Sequence, residues 1–508
     1  MPAFFMGIDV GSNETKGILI NEDCEIVGEH VVSHKMDNPH PGYFEHDAER
    51  IWWGEFCTVS RQLIESTNID PSHIACVGLS TLGCDCVAVD SDCIALHPAI
   101  LYGVDSRSTK EIDFLNTYYG EDATRVFGHP ICSSDISPKI LWIKNNLPDV
   151  YAKAAKFLTG SSYICAKLTD TYTIDKYLAE DFLPLYDLDT DSVDNEGCAP
   201  YCRPDQLAQI RHATDIAGTV TAKAAAATGL AEGTPVLVGT GDSGSEAIST
   251  GVFRPGDIMV QLGSSCYFVY LSDRPVKEDR LWPGTFVIPD TYSVCGGTNT
   301  AGTLTRWFRD TMFSELLRAQ EDGGPNAYEA LAQRAAAIPA GSDGVMCLPY
   351  FAGERSPIND PDARGVFIGL QVAHQREHLY RSAIEGICHS IAQIIGILEA
   401  DDLPITNIMV VGGGTKNRMW LQTVADVLGR PVRTANVTLG AAYGDALMAA
   451  LAAGPYETWD DLAEKVHPQN TITPNAINHE LYARRQPLFE ALYEQTKDTM
   501  HELANNNE

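Results

Sequence analysis

Apolar and polar positions alternate in short blocks along the first 35 or so residues of the chain. Phe4 to Val10 is apolar, Gly11-Ser12-Asn13-Glu14 is a turn, and Thr15 to Ile20 is apolar again. A second turn, Asn21-Glu22-Asp23-Cys24, leads into Ile26 to Val32. Apolar runs of this length bounded by Gly, Asn and Asp read as strands, so the pattern predicts a three-strand meander. Ile74 to Leu79 reads as a buried strand and Lys139 to Asn146 as part of a helix. Near the middle, the strand Val236-Leu237-Val238 ends in Gly239-Thr240-Gly241-Asp242. Asp257 to Leu262 then runs into Gly263-Ser264-Ser265 and leaves through Cys266 to Leu271. This repeats the opening order of strand, Gly-Ser turn and strand, and it suggests a duplicated architecture with a boundary close to 245–252.

In the second half Leu379, Ala383, Ile387, Ile391 and Ile395 recur every four residues. That spacing predicts a helix from about Arg376 to Leu398 with a buried stripe. The strand Ile408-Met409-Val410-Val411, the turn Gly412-Gly413-Gly414 and a helix from about Asn417 to Leu428 follow. Residues after about 455 form an acidic, helix-prone tail expected to pack on the outside. Strands alternating with helices indicate an α/β protein. A chain of 508 residues is too long for one ordinary core, so two large domains are expected. Their ranges are taken as 1–247 and 248–455, with a helical extension over 456–508.

Charge narrows the function. The net charge of -32, with no Lys/Arg cluster to offset it, argues against nucleic acid, whose phosphates would be repelled. No run approaches the roughly 20 apolar residues of a membrane span, and Met1-Pro2-Ala3-Phe4-Phe5-Met6 has no basic region of a signal peptide. Fourteen cysteines in so long a chain are not a disulfide framework, and Cys198 and Cys202 lack the second pair of a zinc site. Reduced thiols in a cytoplasmic protein are the better reading.

The glycine turns carry the candidate chemistry. Each follows an apolar strand and offers backbone N–H groups beside small hydroxyls, the makings of an anion site. Gly11-Ser12-Asn13 and Gly263-Ser264-Ser265 would make two phosphate clamps, although either alone also fits a hairpin that needs glycine for its backbone. Asp9 stands at the end of a buried strand, where a carboxylate is costly unless paired, protonated or near a cation. Magnesium on nucleotide phosphates is the natural partner, and a cap on its own turn is the plainer one. Asp242 occupies the analogous strand end, with Gly241, Ser243 and Gly244 leaving room for a substrate. Phosphoryl transfer needs one group to accept the attacking hydroxyl's proton, and a carboxylate suits that role. Asp242 can also cap the following helix. Gly412-Gly413-Gly414-Thr415-Lys416-Asn417 opens a helix and lets a flat ligand or phosphate approach, or is simply a helix-entry loop. It matches neither a Rossmann fingerprint nor a Walker A loop.

In order, these turns resemble the actin and sugar-kinase superfamily, specifically the FGGY carbohydrate kinases. The first phosphate motif is Gly7-Ile8-Asp9-Val10-Gly11-Ser12, with Thr15-Lys16-Gly17 behind it. Gly365-Val366-Phe367-Ile368-Gly369-Leu370, followed by His378-Leu379-Tyr380-Arg381-Ser382-Ala383-Ile384-Glu385, fits the family's long C-terminal signature. Leu348-Pro349-Tyr350-Phe351-Ala352-Gly353-Glu354-Arg355-Ser356-Pro357 is similar to the matching stretch of xylulose kinases, and Gly440-Ala441-Ala442 is also typical.

The resemblance implies two ribonuclease H-like, actin-like ATPase domains flanking a central cleft, with ATP mainly on the second and sugar mainly on the first. It implies a kinase for a ketopentose such as D-xylulose, with ribulose, fuculose, gluconate, erythritol or a non-catalytic sugar sensor as other readings. Asp242 is implied as catalytic base, and Asp9 with Asp242 as the magnesium site. ATP would meet Gly11, Ser12, Asn13, Lys16, Gly263, Ser264, Gly302, Gly412, Gly413 and Asn417. A homodimer is common in relatives. Departures fall in the sugar region. Leu82-Gly83 stands in place of a Met-His pair, Tyr102-Gly103-Val104-Asp105 lacks the usual tryptophan, and Ile136 replaces a small hydroxyl or proline. Leu82, Gly83, Asp85, Tyr102, Asp105, Asp242 and Ser243 are the candidate sugar contacts, with Asp85 and Asp105 equally readable as surface or turn residues.

Overall fold

The structure is a computed structural model and describes residues 3–435, 440–466 and 468–505. It divides into two compact units. One comprises Met1–Phe253, Gly284–Tyr292 and Leu439–Val466; the other comprises Arg254–Pro283, Ser293–Thr438 and His467–Glu508.

In the first unit the opening strands form the meander that the sequence predicts. Strands β1 (Phe4–Val10), β2 (Glu14–Asn21) and β3 (Ile26–Ser33) pair antiparallel in succession. Strand β4 (Ile74–Thr81) lies parallel to β1 on the other side. Short strands β5 (Ile216–Thr219) and β6 (Pro235–Leu237) complete the order β5-β6-β4-β1-β2-β3, and β7 (Thr240–Gly241) pairs with β4. Strand β1 is covered on both faces, which is why it reads as a continuous apolar run. On the Ile8 face lies helix Gly54–Thr67, with Phe56, Val59 and Leu63 buried.

The opposite face seats helix Ala441–Ala453. Gly7 and Gly78 are register partners in the parallel β1–β4 pair. A Cβ on Gly7 would fall 2.1 Å from the Ala442 carbonyl oxygen, and one on Gly78 would fall 2.1 Å from that of Asp445. Only glycine at both positions lets the helix backbone lie so close to the sheet. This helix was expected within 248–455, yet it belongs to the first unit, as does Gly284–Tyr292. The extension expected over 456–508 is also divided, because Val466 ends the first unit and helix Ala476–Asn505 packs in the second.

The second unit repeats the plan. Strands β8 (Asp257–Leu262) and β9 (Cys266–Ser272) form an antiparallel hairpin. Strands β10 (Trp282–Thr285), β11 (Tyr292–Thr298), β12 (Asn407–Val411), β13 (Val432–Ala435) and β14 (Pro468–Ile472) give the order β10-β11-β9-β8-β12-β13-β14. Strand β12 runs parallel to β8, as β4 does to β1.

The stripe predicted on the long helix is present over Arg376–Ala400: Ala383, Ile387, Ile391 and Ile395 are buried, and Leu379 is half-buried. By length and composition this helix could cross a membrane, contrary to the reading that no segment approaches a span; most of it is buried in the core of the second unit. Its signature residues are structural. Glu385 accepts from Arg381 Nε at 3.0 Å, Tyr482 Oη at 2.8 Å and Gly341 N at 2.9 Å, tying the helix to Ala476–Asn505 and to the turn before strand Met346–Leu348.

Candidate active site

Strand alternation places Gly7 and Asp9 of β1 on one face, and Gly78 and Ser80 of β4 on the same face beside them. Asp9 is buried, and its Oδ1 accepts from Ser80 Oγ at 3.0 Å. Its pKa is held well above the usual carboxylate range, first by burial and then by the charges of Asp242 and Asp445, with Ser80 and Lys16 opposing. Lys16 faces Asp9 across the β1–β2 pair, and its Nζ lies 2.7 Å from Glu14 Oε1. Gly11 closes the intervening turn by donating to Glu14 O at 3.0 Å, leaving Ser12 half-buried and Asn13 exposed.

Asp242 begins the helix Asp242–Ser249, directly after β7 has joined β4. Ser243 N donates to Asp242 Oδ1 at 2.7 Å, and the Gly83 backbone N–H also supports the carboxylate. Burial, followed by the nearby Glu246, pushes the Asp242 pKa up to about 7. Sequence-predicted Asp242, Ser243 and Gly83 therefore come together. Tyr177, absent from the sequence reading, joins them with its hydroxyl 2.9 Å from Ser243 Oγ. The segment Gly284–Tyr292 closes in here too: a Cβ on Gly244 would meet Val287, and Thr285 N donates to Glu180 Oε2 at 2.8 Å.

The remaining sugar candidates divide. Leu82 is buried. Asp85 is fully enclosed, with Oδ1 accepting from Gly160 N at 2.9 Å and Oδ2 among the buried side-chain atoms that have no hydrogen-bond partner. Burial raises its pKa to about 8 and that of Asp181 to about 7, with Lys139 opposing both. Lys139 donates to Cys84 O at 2.5 Å. Asp105 is different: its oxygens accept from Arg107 Nε at 2.9 Å, Arg107 Nη2 at 2.7 Å and Phe44 N at 2.7 Å. It is the buried counter-ion of Arg107, and that pairing occupies both of its oxygens. Tyr102 is half-buried against the core of the unit.

A carboxylate that sequence reasoning missed lies beneath this face. Asp445, fully buried on helix Ala441–Ala453, accepts from Ser80 Oγ at 2.7 Å and from Ser245 Oγ at 2.6 Å. The signal was available as a lone charge inside Ala441-Ala442-Tyr443-Gly444-Asp445-Ala446-Leu447.

In the second unit the β8–β9 turn is a composite. Gly263 N donates to Ser265 O at 2.9 Å, Gly302 N donates to Gly263 O at 2.9 Å, and Ala301 N and Thr303 N donate to Ser264 O at 3.0 and 2.9 Å. Gly263, Ser264 and Gly302, separate in sequence, are thus one structure. The stretch similar to xylulose kinases supports it from behind. Glu354 accepts from Asn299 N at 2.6 Å, and Thr300 Oγ1 donates to the Pro349 carbonyl. At the triple glycine, Gly412 has φ +87° and a Cβ there would fall 2.8 Å from Leu262 O, whereas a Cβ on Gly413 meets nothing within 4 Å. Gly412 therefore serves the backbone, whereas Gly413 borders open space. Asn417 caps helix Arg418–Leu428, its Oδ1 accepting from Trp420 N at 3.2 Å.

Residues 4–249 match the N-terminal domain, and residues 258–453 the C-terminal domain, of the FGGY family of carbohydrate kinases. A gluconokinase of Bacillus licheniformis is 26% identical over 99% of this chain and 98% of its own length. A xylulose kinase of Staphylococcus epidermidis is 28% identical, covering 98% of each chain. The crystal structure of xylulose kinase from Rhodospirillum rubrum superposes with a TM-score of 0.89 at 28% identity, over 98% of this chain and 100% of that one.

Proposed function

The chain belongs to the FGGY family of carbohydrate kinases, and from that premise we propose that it phosphorylates a neutral ketopentose, D-xylulose first among candidates, using Asp242 as base. The observation that carries the base assignment is Asp242 itself: a strand-end carboxylate held by two backbone N–H groups, with its pKa raised to about 7. A base near neutrality remains ionised at working pH while still attracting a hydroxyl proton. In this reading the sugar hydroxyl donates to the Asp242 carboxylate, Ser243 and Tyr177 flank it, and the N–H groups of Ser12 and Asn13 face phosphate. Gly263, Ser264, Gly302 and Gly413 would receive the nucleotide.

Asp9 fits magnesium because it stands beside two further carboxylates, Asp242 and Asp445, a grouping that a cation relieves. Asp9 and Asp242 would hold the ion, which when bound neutralises charge on the transferring phosphoryl group.

Relatives include both gluconokinases and xylulose kinases. Electrostatics favour the neutral sugar. Asp85 feels both Asp242 and Asp181 as neighbouring charges, and the opposing cation, Lys139, is engaged with Cys84 O. A carboxylate substrate brought beside these acids would find their opposing cation already engaged, whereas the hydroxyls of a neutral sugar need no cation.

The test is ADP release with MgATP across ketoses, polyols and sugar acids, with a no-sugar control. D-xylulose is expected to give the strongest response. A preference for gluconate would overturn the neutral-sugar reading, and no response to any sugar would overturn the whole proposal.

A further inference from the structure

One group of mixed donors in the first unit has no part in the reaction proposed above. His129, Cys132 and Asp135 are spaced three apart, and one ligand atom from each lies within 4.8 Å of the other two. The backbone accounts for the convergence. Helix Ala123–Phe127 stops at Gly128, whose φ of +76° turns the chain and delivers His129. Cys132 to Asp135 is a closed turn, in which Asp135 N donates to Cys132 O at 3.2 Å and Cys132 N donates to Asp135 Oδ2 at 2.7 Å. Ser133 Oγ fastens this turn to Gly103 O at 2.8 Å.

Two of the donors are turned inward by a second contact. His129 Nδ1 lies 2.9 Å from the Pro130 carbonyl oxygen, which can only accept, so Nδ1 carries hydrogen and Nε2 is the nitrogen left to the cluster. Asp135 is buried with Oδ2 committed to the turn, and its Oδ1 stands 3.2 Å from His129 Nε2. A ring nitrogen and a carboxylate each anchored through the opposite atom have the outer contacts typical of metal ligands. With bond lengths of about 2.0–2.3 Å, the ligand atoms around a tetrahedral zinc stand roughly 3.3–3.6 Å apart. Nε2 and Oδ1 are already close to that spacing. Cys132 is the exposed one of the fourteen cysteines, so its thiol can rotate inward and an ion can enter from solvent. Asp181 and Glu180 are near enough for their charges to act on His129.

We propose that His129, Cys132 and Asp135 bind a zinc-class divalent ion, with a fourth position left to water. The donor set selects the metal. Thiolate and imidazole suit Zn2+, whereas Mg2+ takes oxygen, so this site is separate from the magnesium position given to Asp9. A bound ion would pin residues 128–135 ahead of helix Ile136–Asn146, whose Lys139 donates to Cys84 O next to Asp85. The same geometry suits a plain hydrogen bond between His129 and Asp135, in which the Cys132 thiol has no role. The thiol is therefore what the experiment reads, and the kinase reading does not enter it.

The full chain, reduced and stripped with a chelator, is titrated at neutral pH with Co2+ and then with Zn2+. The expected result is one Co2+ per chain and a thiolate-to-cobalt charge-transfer band in the near ultraviolet, displaced by Zn2+ but not by excess Mg2+. Zn2+ should also block alkylation of Cys132 by iodoacetamide, read by peptide mass spectrometry. Cys132→Ser should abolish the band, and His129→Ala should weaken Zn2+ binding by at least about tenfold. The Cys132 and His129 side chains both reach solvent, so these variants should fold, as circular dichroism will check. Should His129→Ala misfold, Cys132→Ser and alkylation of the wild type carry the test. No saturable uptake, a thiolate band that survives Cys132→Ser, Cys132 still alkylated in saturating Zn2+, or unchanged Zn2+ affinity in folded His129→Ala would each overturn the proposal.

Discussion

At the scale of single residues, Asp242 makes the sharpest commitments. Asp242→Asn should lower kcat by about 10²–10⁴-fold, the usual worth of a positioned general base, with ATP affinity retained. For the wild type, kcat/KM should fall as pH drops below about 7, where Asp242 takes up a proton. Stability runs the opposite way. A carboxyl raised from 3.8 to about 7 binds its proton more tightly in the folded state, so its contribution to stability is lost as pH rises through that window. The ligand-free Asp242→Asn protein should therefore melt higher than wild type at pH 8 and no higher at pH 3. Thermal melts at the two values decide this; equal melting at both would exclude a raised Asp242. Asp242 was legible from sequence because it follows a strand and sits among glycines. For Asp105 the sequence shows an acid among the candidate sugar contacts but not that Arg107 folds back onto it.

At the scale of elements, the glycine loops separate backbone need from ligand contact. Gly412→Ala places a Cβ at φ +87° and 2.8 Å from Leu262 O, so it should cost more than about 1 kcal/mol. Gly413→Ala has open space and should fold normally; if the proposed nucleotide site is right, it should raise the KM for ATP, because its methyl group would stand where the nucleotide approaches. Denaturant melts and ATP titrations of the two variants check the pair. If Gly413→Ala left ATP use unchanged, the loop would be removed from the nucleotide site. Element boundaries themselves were readable. The meander over the first 33 residues, the Arg376 helix and the strand-glycine-helix unit at Asn407–Leu428 all carry strong periodicity bounded by turn residues.

At the scale of the whole molecule, the first unit is assembled from three separated stretches of chain. A fragment of residues 1–253 lacks helix Ala441–Ala453, so one face of β1 and β4 would be left bare. That fragment should be insoluble or unstructured by circular dichroism, and co-expression with residues 439–466 should rescue it. An independently folded 1–253 fragment would contradict the account of Gly7 and Gly78 as the seat of the helix.

What the sequence determined alone is what depends on neighbours along the chain: strand and helix periods, glycine turns, the repeated strand-turn-strand plan, and the acids at two strand ends. The family signature was legible for the same reason. What only the tertiary structure decided depends on groups far apart in sequence. Asp445 meets Ser80 across 365 residues, and Ser245 across 200. Gly302 joins Gly263, and Glu180 holds Thr285, by hydrogen bonds between segments that no local pattern links. Periodicity records which face of an element is apolar, but it does not record which distant element covers that face. Burial and hydrogen-bond satisfaction choose the partner, and here they set a second carboxyl beneath the first.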